Sequence, residues 1–387
     1  MKQAADVVVL GSGVVGASVA YHLAARGCAD VLVLDREPEP GRGSTCRATG
    51  GFRAQFGSDV NVRLSLLARE KLLRFPEELG VDSGYRPYGY LFVARERRGL
   101  DALAEAREVQ RAAGFHEAVM VDPDEIRRLN PAIRMDGVIG GSYCAADGFI
   151  RPLEILRGYQ EGARRLGVRF AFDEPCTGFR MRGRRISAVV TPRGEVAAGS
   201  VVNAAGAWAA QVGRLAGADV PVTPLRRQVA TTEPCDLLPE TMPMTIFVDD
   251  GFHLRVRDGR VLLLWPDHPA GADPFDTRVD EEWRAEVTRM ARERVPCLAS
   301  TGIDVEACWG GLYENSPDGH ALLGAAPGVD NLYLANGSSG HGVMHAPALG
   351  HLLAEIILDG AATTLDTRPL RPSRFAEGKP NRAPELL

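Results

Sequence analysis

One stretch near the N-terminus decides the fold, and it runs Asp6-Val7-Val8-Val9-Leu10-Gly11-Ser12-Gly13-Val14-Val15-Gly16. Its first five residues form a continuous, mostly β-branched apolar run, which is typical of a strand buried on both faces of a parallel sheet. Residues 17–26 then place apolar side chains at helical spacing, and Gly27 provides a stop. A second apolar run at 31–34 ends at Asp35. The stretch therefore predicts a strand, a glycine turn, a helix and a second strand.

The glycine turn has the spacing that a bound dinucleotide requires. Gly11 and Gly13 let the backbone turn sharply and approach a pyrophosphate, and Gly16 seats the helix against the strand. The helix N-terminus offers unpaired N–H groups and a partial positive charge to the phosphates. Asp35 lies 19 residues beyond Gly16, where a carboxylate accepts hydrogen bonds from ribose hydroxyls and repels a 2′-phosphate. The alternative is a glycine turn without a ligand. We predict an NAD or FAD site that includes Gly11, Gly13, Val14, Val15, Gly16, Asp35 and Arg36.

The composition is that of an ordinary globular protein. Of the 387 residues, 45% are hydrophobic and 25% are charged, which excludes a disordered or collagen-like chain. The formal net charge of −5 lacks the basic field of a nucleic-acid-binding protein. The seven cysteines form no C-x-x-C pair, and no apolar run is long enough for a signal segment or a membrane span. We therefore expect a soluble cytoplasmic protein with reduced thiols, no metal cluster and no nucleic-acid partner.

A second glycine turn lies near the C-terminus. A predicted strand at 332–335 leads into Gly337-Ser338-Ser339-Gly340-His341-Gly342, and we predict a helix over 347–358 that begins at Pro347. An NAD enzyme needs only one such turn. The isoalloxazine ring of FAD becomes negative at its N1–C2=O edge on reduction, and a helix N-terminus stabilises that charge. The second turn therefore favours FAD, with an ordinary cluster of packing glycines as the alternative.

Further motifs follow one another along the chain. They are Gly50-Gly51-Phe52-Arg53-Ala54-Gln55-Phe56, Gly89-Tyr90-Leu91-Phe92, Asp147-Gly148 with Pro152, Val201-Val202-Asn203-Ala204-Ala205-Gly206-Ala207-Trp208, Trp309-Gly310-Gly311, Ser316-Pro317-Asp318-Gly319, and Ser339-Gly340-His341-Gly342 with Ala346-Pro347. In this order and with the first βαβ unit, these motifs make the chain resemble the glycine-oxidase and D-amino-acid-oxidase superfamily of FAD-dependent oxidoreductases. Within it, the chain looks like the β-subunit type of sarcosine oxidase and of archaeal-type L-proline dehydrogenase. The resemblance covers nearly the whole chain.

The resemblance implies a fold and a reaction. The fold is α/β, with a discontinuous Rossmann-like FAD-binding domain and a second α+β substrate domain built on a mixed antiparallel sheet. The reaction is hydride transfer from a C–H beside an amine nitrogen to flavin N5, which gives an imine that water hydrolyses. The expected boundaries are 1–85, 148–222 and 318–375 for the FAD-binding domain, 86–147 and 223–317 for the substrate domain, and 376–387 for a loose C-terminal tail.

The resemblance also assigns roles to single residues. Arg53 matches an arginine that holds the substrate carboxylate, a contact that suits a planar guanidinium. His341 is expected beside the flavin, and Tyr313 is expected to line the substrate pocket. The alternatives are a surface or phosphate-facing arginine and a tyrosine packed in the core. The further cofactor-binding residues are Ser44, Thr45, Arg47, Thr49, Gly50, Gly51, Ala205, Gly206, Trp208, Gly311, Ser339, Gly340, Gly342, Val343 and Met344.

The chain departs from family patterns at several of these positions. Arg47 stands where some members attach flavin through histidine, and Gly311 stands where others attach it through cysteine. We therefore expect non-covalent FAD. Tyr313 replaces the carboxylate-binding arginine of glycine oxidases and D-amino-acid oxidases, which weakens those two activities. Oxygen-using sarcosine oxidases present a lysine to the flavin, and here only Lys71 is conceivable. This difference favours a dehydrogenase or a slow oxidase.

Three functional hypotheses stay open from the sequence. The first is oxidation of a small amine or amino acid, a secondary amine with a carboxylate of the sarcosine or proline kind. The second is oxidation of a 2-hydroxy acid, which requires a base such as His253, His320 or His341. The third is a flavin-carrying subunit of a larger complex. Oxygen or another acceptor would take the electrons, and the choice between a partner subunit and a homo-oligomer stays open.

Overall fold

The structure is a computed structural model, and it describes residues 4–266 and 273–381. In these residues the α-helices are α1 Val14–Ala25, α2 Asp59–Leu79, α3 Arg97–Ala112, α4 Pro123–Leu129, α5 Pro152–Arg165, α6 Ala209–Leu215, α7 Glu281–Arg294 and α8 Gly342–Asp359. The β-strands are β1 Ala4–Leu10, β2 Val31–Leu34, β3 Gly51–Phe52, β4 Tyr90–Ala94, β5 Val119–Val121, β6 Gly140–Cys144, β7 Gly148–Phe149, β8 Arg169–Ala171, β9 Gly178–Arg182, β10 Arg185–Thr191, β11 Gly194–Asn203, β12 Thr223–Thr231, β13 Met244–Phe247, β14 His253–Arg257, β15 Arg260–Leu264, β16 Trp309–Asn315, β17 Leu322–Ala325 and β18 Leu332–Asn336.

One sheet carries the predicted βαβ unit. Its strands run in the order β17-β18-β11-β1-β2-β8, parallel except for β17, and β10 and β9 extend it antiparallel from β11. Strand β2 and the last four residues of β1 are buried. Helices α1, α2, α5 and α8 contribute to the core on one face, and α6 contributes to the core on the other. The Rossmann-like α/β expectation is confirmed.

The glycines of the first turn are required by close backbone approach. Gly11 has φ +108°, and a Cβ atom there would lie 2.5 Å from the Ala204 carbonyl oxygen. A Cβ atom at Gly16 would lie 2.0 Å from the Gly11 carbonyl oxygen. A larger residue at either position would therefore push α1 away from the ends of β1 and β11.

Close packing of α8 on α1 brings the N-termini of both helices to one side of the sheet. A Cβ atom at Gly350 would lie 2.2 Å from the Ser18 hydroxyl, and that hydroxyl donates to the Ala346 carbonyl at 2.8 Å. The prediction that this helix begins at Pro347 is wrong, because α8 begins at Gly342 and Pro347 lies inside it. The proline removes one backbone hydrogen bond, and burial of nearly the whole segment 344–355 outweighs that loss.

A second sheet lies beside the first. Its strands run in the order β16-β12-β15-β14-β13-β4-β6-β5, and all neighbours are antiparallel except β13 and β4. Its two cores include residues of α7 on one side, such as Trp283, and residues of α3 on the other, such as Leu103. The expectation of a mixed, largely antiparallel sheet is confirmed. Each strand of the two large sheets falls within the chain segments assigned above to its domain, and the domain boundaries themselves stay a proposal.

The end of the described chain is attached to the body of the protein. The Asn381 backbone N–H and side chain donate to Asp318 Oδ2 at 2.9 and 3.1 Å, and the Lys379 N–H donates to the Arg374 carbonyl at 2.8 Å. The expectation of a loose tail is therefore wrong for residues 376–381, because the carboxylate of Asp318 fixes them. Residues 382–387 lie outside the described residues.

The sequence predicted no membrane-spanning helix. No helix between residues 4 and 266 or between 273 and 381 is both long enough and apolar enough to cross a bilayer. The cytoplasmic location stays a prediction.

Candidate active site

A cavity of about 810 Å³ lies where the two sheets meet. Strands β1, β2 and β18 supply part of its lining, and β12, β13, β14 and β16 supply the opposite part. Of the residues predicted from the sequence, Gly16 does not line the cavity, because its role is to pack α1 against Gly11. Those that do are Gly11, Gly13, Val14, Val15, Asp35, Arg36, Ser44, Thr45, Arg47, Thr49, Gly50, Gly51, Arg53, Ala205, Gly206, Trp208, Gly311, Tyr313, Ser339, Gly340, His341, Gly342, Val343 and Met344.

Asp35 stands at one end of this cavity, directly after β2. Its Oδ2 atom accepts hydrogen bonds from the Ser12 N–H at 2.6 Å and from the Ser12 hydroxyl at 2.5 Å. Its Oδ1 atom accepts one from the Glu37 N–H at 2.9 Å. An ionised carboxylate has roughly four acceptor sites. Three are used within the chain, so one is left for a ribose hydroxyl.

A flat wall borders the same end of the cavity. The Arg36 guanidinium lies 3.7 Å from the centre of the Trp208 ring. Phe275 stacks on that ring with 5.5 Å between centroids and 15° between planes. Such a layered surface suits the face of a planar ring. The sequence patterns pointed to Trp208 but not to Phe275, which no glycine motif accompanies.

The loop around Arg47 is fastened to β16. The Arg47 guanidinium donates to the Gly310 carbonyl at 2.8 Å, and the Trp309 indole donates to the Arg47 carbonyl at 2.8 Å. A Cβ atom on Gly311 would lie 3.0 Å from Arg47 Cβ. The two positions at which the resemblance places covalent flavin attachment therefore meet at one point, and neither has a side chain suited to it.

The residues of the cavity fit FAD, as an unpartnered acceptor and a glycine-lined cradle indicate. Glu314 lines the cavity, and its Oε1 atom accepts from the Ser338 N–H at 3.3 Å. Its Oε2 atom is buried without a hydrogen-bond partner among the described residues, so it can accept from a hydroxyl or N–H of a bound group. Ideal Cβ atoms at Gly206 and Gly342 would lie 3.9 Å from Oε2 and 3.6 Å from Oε1. No sequence motif had singled out Glu314.

Burial dominates the electrostatics of Glu314. It raises the pKa of the carboxyl to about 7, although hydrogen bonds from the 337–338 segment oppose the shift. The group lies beside Gly342, the first residue of α8. A protonatable carboxyl therefore stands at the helix N-terminus for which the sequence predicted a role in stabilising negative charge.

Arg53 is a buried cation at the opposite end of the lining. It is 4% exposed, and its guanidinium lies 4.3 Å from the Phe56 ring centre. One of its amino groups donates to the Gln55 carbonyl at 3.3 Å, and the other lies 3.4 Å from Nε2 of His341. Within residues 4–266 and 273–381 it forms no ion pair with a carboxylate. Burial lowers its pKa, and a desolvated guanidinium of this kind binds an anionic ligand strongly.

Asp147 holds the loop that carries Arg53. Its carboxylate accepts from the Ala54 N–H at 2.8 Å and from the Gln55 amide at 3.1 Å. The Gln55 amide oxygen in turn accepts from the Ser142 hydroxyl at 2.7 Å. Burial raises the pKa of Asp147 to about 6. The Asp147-Gly148 motif therefore acts on the site from outside the cavity.

The three candidate histidines differ in their surroundings. Both nitrogens of His320 lie near partners, Nδ1 at 2.7 Å from the Asp318 carbonyl and Nε2 at 2.9 Å from the Ser58 hydroxyl, and His320 does not line the cavity. His253 and His341 do line it. Burial lowers the pKa of His253 to about 4. Burial and, after it, the charge of Arg53 lower the pKa of His341 well below its ordinary value. Both cavity histidines are therefore neutral at pH 7.

Tyr313 lies on β16 and packs against the second glycine turn. A Cβ atom on Gly340 would lie 2.4 Å from the tyrosine ring, so the turn must approach the ring with a glycine. The other side of the ring faces Arg227, whose guanidinium lies 5.7 Å from the ring centre. Arg227 also lines the cavity and was not found from the sequence, because the β12–β16 pairing that places it joins segments far apart in the chain.

The βαβ unit, the two helix N-termini and the shared cavity define a dinucleotide-binding oxidoreductase of the Rossmann type. The family is given by a model described as "FAD dependent oxidoreductase" (DAO), which matches residues 6–356. The chain belongs to this family and is an FAD-dependent oxidoreductase. The resemblance stated from the sequence is confirmed.

Individual relatives agree with this assignment. FAD-dependent oxidoreductase domain-containing protein 1 of Xenopus laevis is 31% identical over 430 residues, which cover 97% of this chain and 83% of that protein. Mitochondrial dimethylglycine dehydrogenase of Rattus norvegicus is 30% identical over 399 residues, 97% of this chain but 45% of that enzyme. The chain therefore spans less than half the length of the dehydrogenase. The crystal structure of L-proline dehydrogenase from P. horikoshii matches with a TM-score of 0.91 and 28% identity over 98% of this chain and all of that one.

Proposed function

We propose that this protein oxidises a small amine or amino acid that carries a carboxylate, with non-covalently bound FAD as the hydride acceptor. One observation carries the proposal: Arg53 is a buried guanidinium on the cavity without a carboxylate partner among the described residues. A buried cation is costly, and the charge of Asp147 acts on Arg53 only from beyond ion-pair distance. A substrate carboxylate would supply the missing charge at that point.

The FAD would occupy the glycine-lined part of the cavity. The turn at Gly11 and Gly13 would face its pyrophosphate, Asp35 its ribose, and the N-terminus of α8 its ring edge. When bound, FAD supplies a ring that takes up a hydride. Arg47 and Gly311 offer no nucleophile for covalent attachment, which supports a dissociable cofactor.

The remaining task of the protein is to hold the substrate. Arg53 binds the substrate carboxylate through two parallel hydrogen bonds, a bidentate contact, and so orients the carbon that loses hydrogen. Neutral His341 accepts from the Arg53 guanidinium and thereby limits its rotation. Tyr313 and the apolar side chains of Met244 and Ile246 keep water from the reacting carbon. A neutral amine needs no base in this arrangement.

The electron acceptor follows from the charges on the cavity. No lysine lies on its lining among the described residues. Lys71 lies on α2, outside the lining. The resemblance associates reaction with oxygen with a lysine beside the flavin, and Arg47 would supply a positive charge there instead. We therefore infer a dehydrogenase or a slow oxidase, in which an acceptor other than oxygen takes most of the electrons.

One observation supports oxidation of a 2-hydroxy acid as a second candidate. The Nδ1 atom of His253 lies 2.8 Å from the Gly251 carbonyl, an arrangement that places the proton on Nδ1. The neutral ring then keeps Nε2 as a base on the cavity. An alcohol needs such a base for its O–H proton. The amine remains the first candidate because it needs only the anion site.

An anaerobic titration tests both candidates. The purified yellow protein is mixed with sarcosine, L- and D-proline, other N-methyl amino acids and 2-hydroxy acids, and loss of the oxidised flavin band is followed. Bleaching by an amine with a carboxylate, and not by its methyl ester, supports the proposal. Bleaching by hydroxy acids alone moves the assignment to the second candidate. Protein that is bleached by neither class has another function, and admission of air separates an oxidase from a dehydrogenase.

A further inference from the structure

We propose that Arg53 and Arg227 together form a two-point anion site, so that the substrate is a small amine carrying two carboxylates. This inference rests on the proposed function and narrows its substrate class. It depends on the position of a residue on β12 that is separate from the flavin motifs.

Strand pairing directs Arg227 into the cavity. On β12, Arg226 and Arg227 are neighbours, and their side chains leave the strand on opposite faces. Arg226 turns away from the cavity, where it donates to the Arg278 carbonyl at 3.0 Å and pairs with Asp280. Arg227 lies opposite Gly311 in the β12–β16 ladder. The Cβ position of Gly311 faces Arg47 at 3.0 Å, so Arg227 shares this face of the ladder with Arg47, and both side chains line the cavity.

The two guanidinium groups act on the same corner of the cavity. Arg53 and Arg227 are both lining residues, and so are His253 and Tyr313. Besides burial, the positive charges of both arginines lower the pKa of His253. The same two charges oppose the rise that burial causes in the pKa of Tyr313. An electrostatic effect on both side chains requires both cations to be near, and Arg227 lies 5.7 Å from the Tyr313 ring centre.

The surroundings of this corner strengthen its preference for anions. The neighbouring lining includes the apolar side chains of Met244, Ile246 and Leu264, which lower the local dielectric and strengthen charge interactions. Of the acidic lining residues, Asp35 and Glu37 follow β2, and Glu174 pairs with Arg193. Glu314 follows Tyr313 on β16, and burial raises the pKa of its carboxyl to about 7, which reduces its negative charge at neutral pH. A single carboxylate engages one planar guanidinium in bidentate fashion. A second carboxylate on the same small molecule would engage the other.

Binding of dicarboxylates that cannot react provides the test. Succinate and glutarate are titrated into the oxidised holoenzyme, with propionate and butyrate as monocarboxylates of matched length, and the shift of the visible flavin spectrum gives each Kd. We expect the dicarboxylates to bind at least about tenfold more tightly, a difference of about 1.4 kcal/mol. Equal affinities for the two classes would overturn the inference.

Three variants at two neighbouring residues show whether Arg227 carries the preference for dicarboxylates. Arg227→Gln should lose the preference for dicarboxylates and keep the affinity for monocarboxylates, and Arg227→Lys should keep part of the preference. Arg226→Gln is the matched control, because its guanidinium lies on the other face of the same strand. A preference that survives Arg227→Gln, or is lost equally in Arg226→Gln, would contradict the proposed site.

These experiments distinguish failure of the two-point anion site from failure of the proposed amine oxidation. If sarcosine bleaches the flavin but iminodiacetate is no better as a substrate and succinate no tighter as a ligand, amine oxidation stands and the two-point site is wrong. If succinate binds tightly through Arg227 and no amine bleaches the flavin, the site stands and amine oxidation is wrong.

Discussion

One amino group of Arg53 lies 3.4 Å from Nε2 of His341, which joins the loop after β3 to the glycine turn before α8. The contact requires a neutral imidazole, because an imidazolium would be a second cation beside a buried guanidinium. Burial and the charge of Arg53 both hold the pKa of His341 well below its ordinary value. The pair therefore presents a single positive charge to the cavity at neutral pH.

Replacing Arg53 should abolish carboxylate binding without loss of the cofactor. Removing one partner of a buried charge pair costs about 2–5 kcal/mol, so Arg53→Met should weaken carboxylate ligands by about 100-fold or more. The flavin content should stay close to one per chain, because the FAD-facing glycines are untouched. Arg53→Lys should recover part of the affinity but not the bidentate geometry. Spectral titration with a monocarboxylate gives the Kd, and the exposed Arg97→Met, outside the cavity, serves as control. An unchanged Kd in Arg53→Met would remove Arg53 from the substrate site.

The pH dependence of the reaction should not report His341. Its pKa is far below the ordinary value, so the rate of flavin reduction should rise with pH only as the amine substrate loses its proton. His341→Gln keeps a hydrogen-bond acceptor and should lower the rate while leaving the midpoint of this rise in place. Stopped-flow reduction at a series of pH values measures the midpoint. A wild-type inflection near the ordinary histidine value that disappears in the variant would show that His341 titrates during the reaction.

The first βαβ unit was predictable because its determinants are local. A buried strand, a G-x-G-x-x-G turn and a helix of small residues are contiguous from residue 6 to 35, and each constrains the next without information from elsewhere in the chain. The start of α8 was not predictable in this way, because a proline usually marks a first turn, while burial of the segment 344–355 keeps the turn before Pro347 helical.

Most residues that line the proposed cofactor site were predictable from the sequence. Most residues that set the charges of the site were not. Glu314 and Arg227 belong to no sequence motif, and the Asp147-Gly148 motif carried no predicted role in the site. Their positions depend on tertiary pairings, such as β12 with β16 and the contact of Asp147 with residue 54. Such pairings join segments some 80 to 90 positions apart, and a sequence pattern does not record them.

Gly16→Ala should damage the cofactor site through packing alone. The added Cβ atom would lie 2.0 Å from the Gly11 carbonyl oxygen, so α1 must shift away from the turn. Overpacking of this kind costs about 1–3 kcal/mol, and the displaced helix N-terminus should bind FAD less tightly. Gly57→Ala is the control, because its Cβ atom would lie 4.0 Å from the nearest side chain. Flavin content and Tm should both fall only in Gly16→Ala; equal effects in the two variants would show that the loss does not come from this contact.

The buried pair of Arg374 and Asp318 should be a large contributor to stability. Arg374 is fully buried, and its guanidinium donates to both carboxylate oxygens of Asp318 at 2.8 Å. Asp318→Asn leaves the cation uncompensated and should cost about 3–5 kcal/mol. It should also free residue 381, whose amide donates to the same carboxylate. The exposed pair of Asp366 and Arg368 is the matched control, and Asp366→Asn should have little effect. Urea unfolding measures both; similar midpoints for the two variants would contradict the assignment.

Glu314 should make the protein less stable as the pH rises through the neutral range. Burial raises the pKa of its carboxyl from 4.5 to about 7, so the folded state binds this proton over a pH range in which the unfolded state has already released it. The folded state therefore loses stability between about pH 4.5 and 7 by about 1.4 kcal/mol per pKa unit. Glu314→Gln removes this penalty, and its free energy of unfolding relative to wild type should increase from pH 5 to pH 8. Subtracting the wild-type value at each pH cancels the other titrating groups, and a difference that stays constant over this range would show that the carboxyl titrates normally.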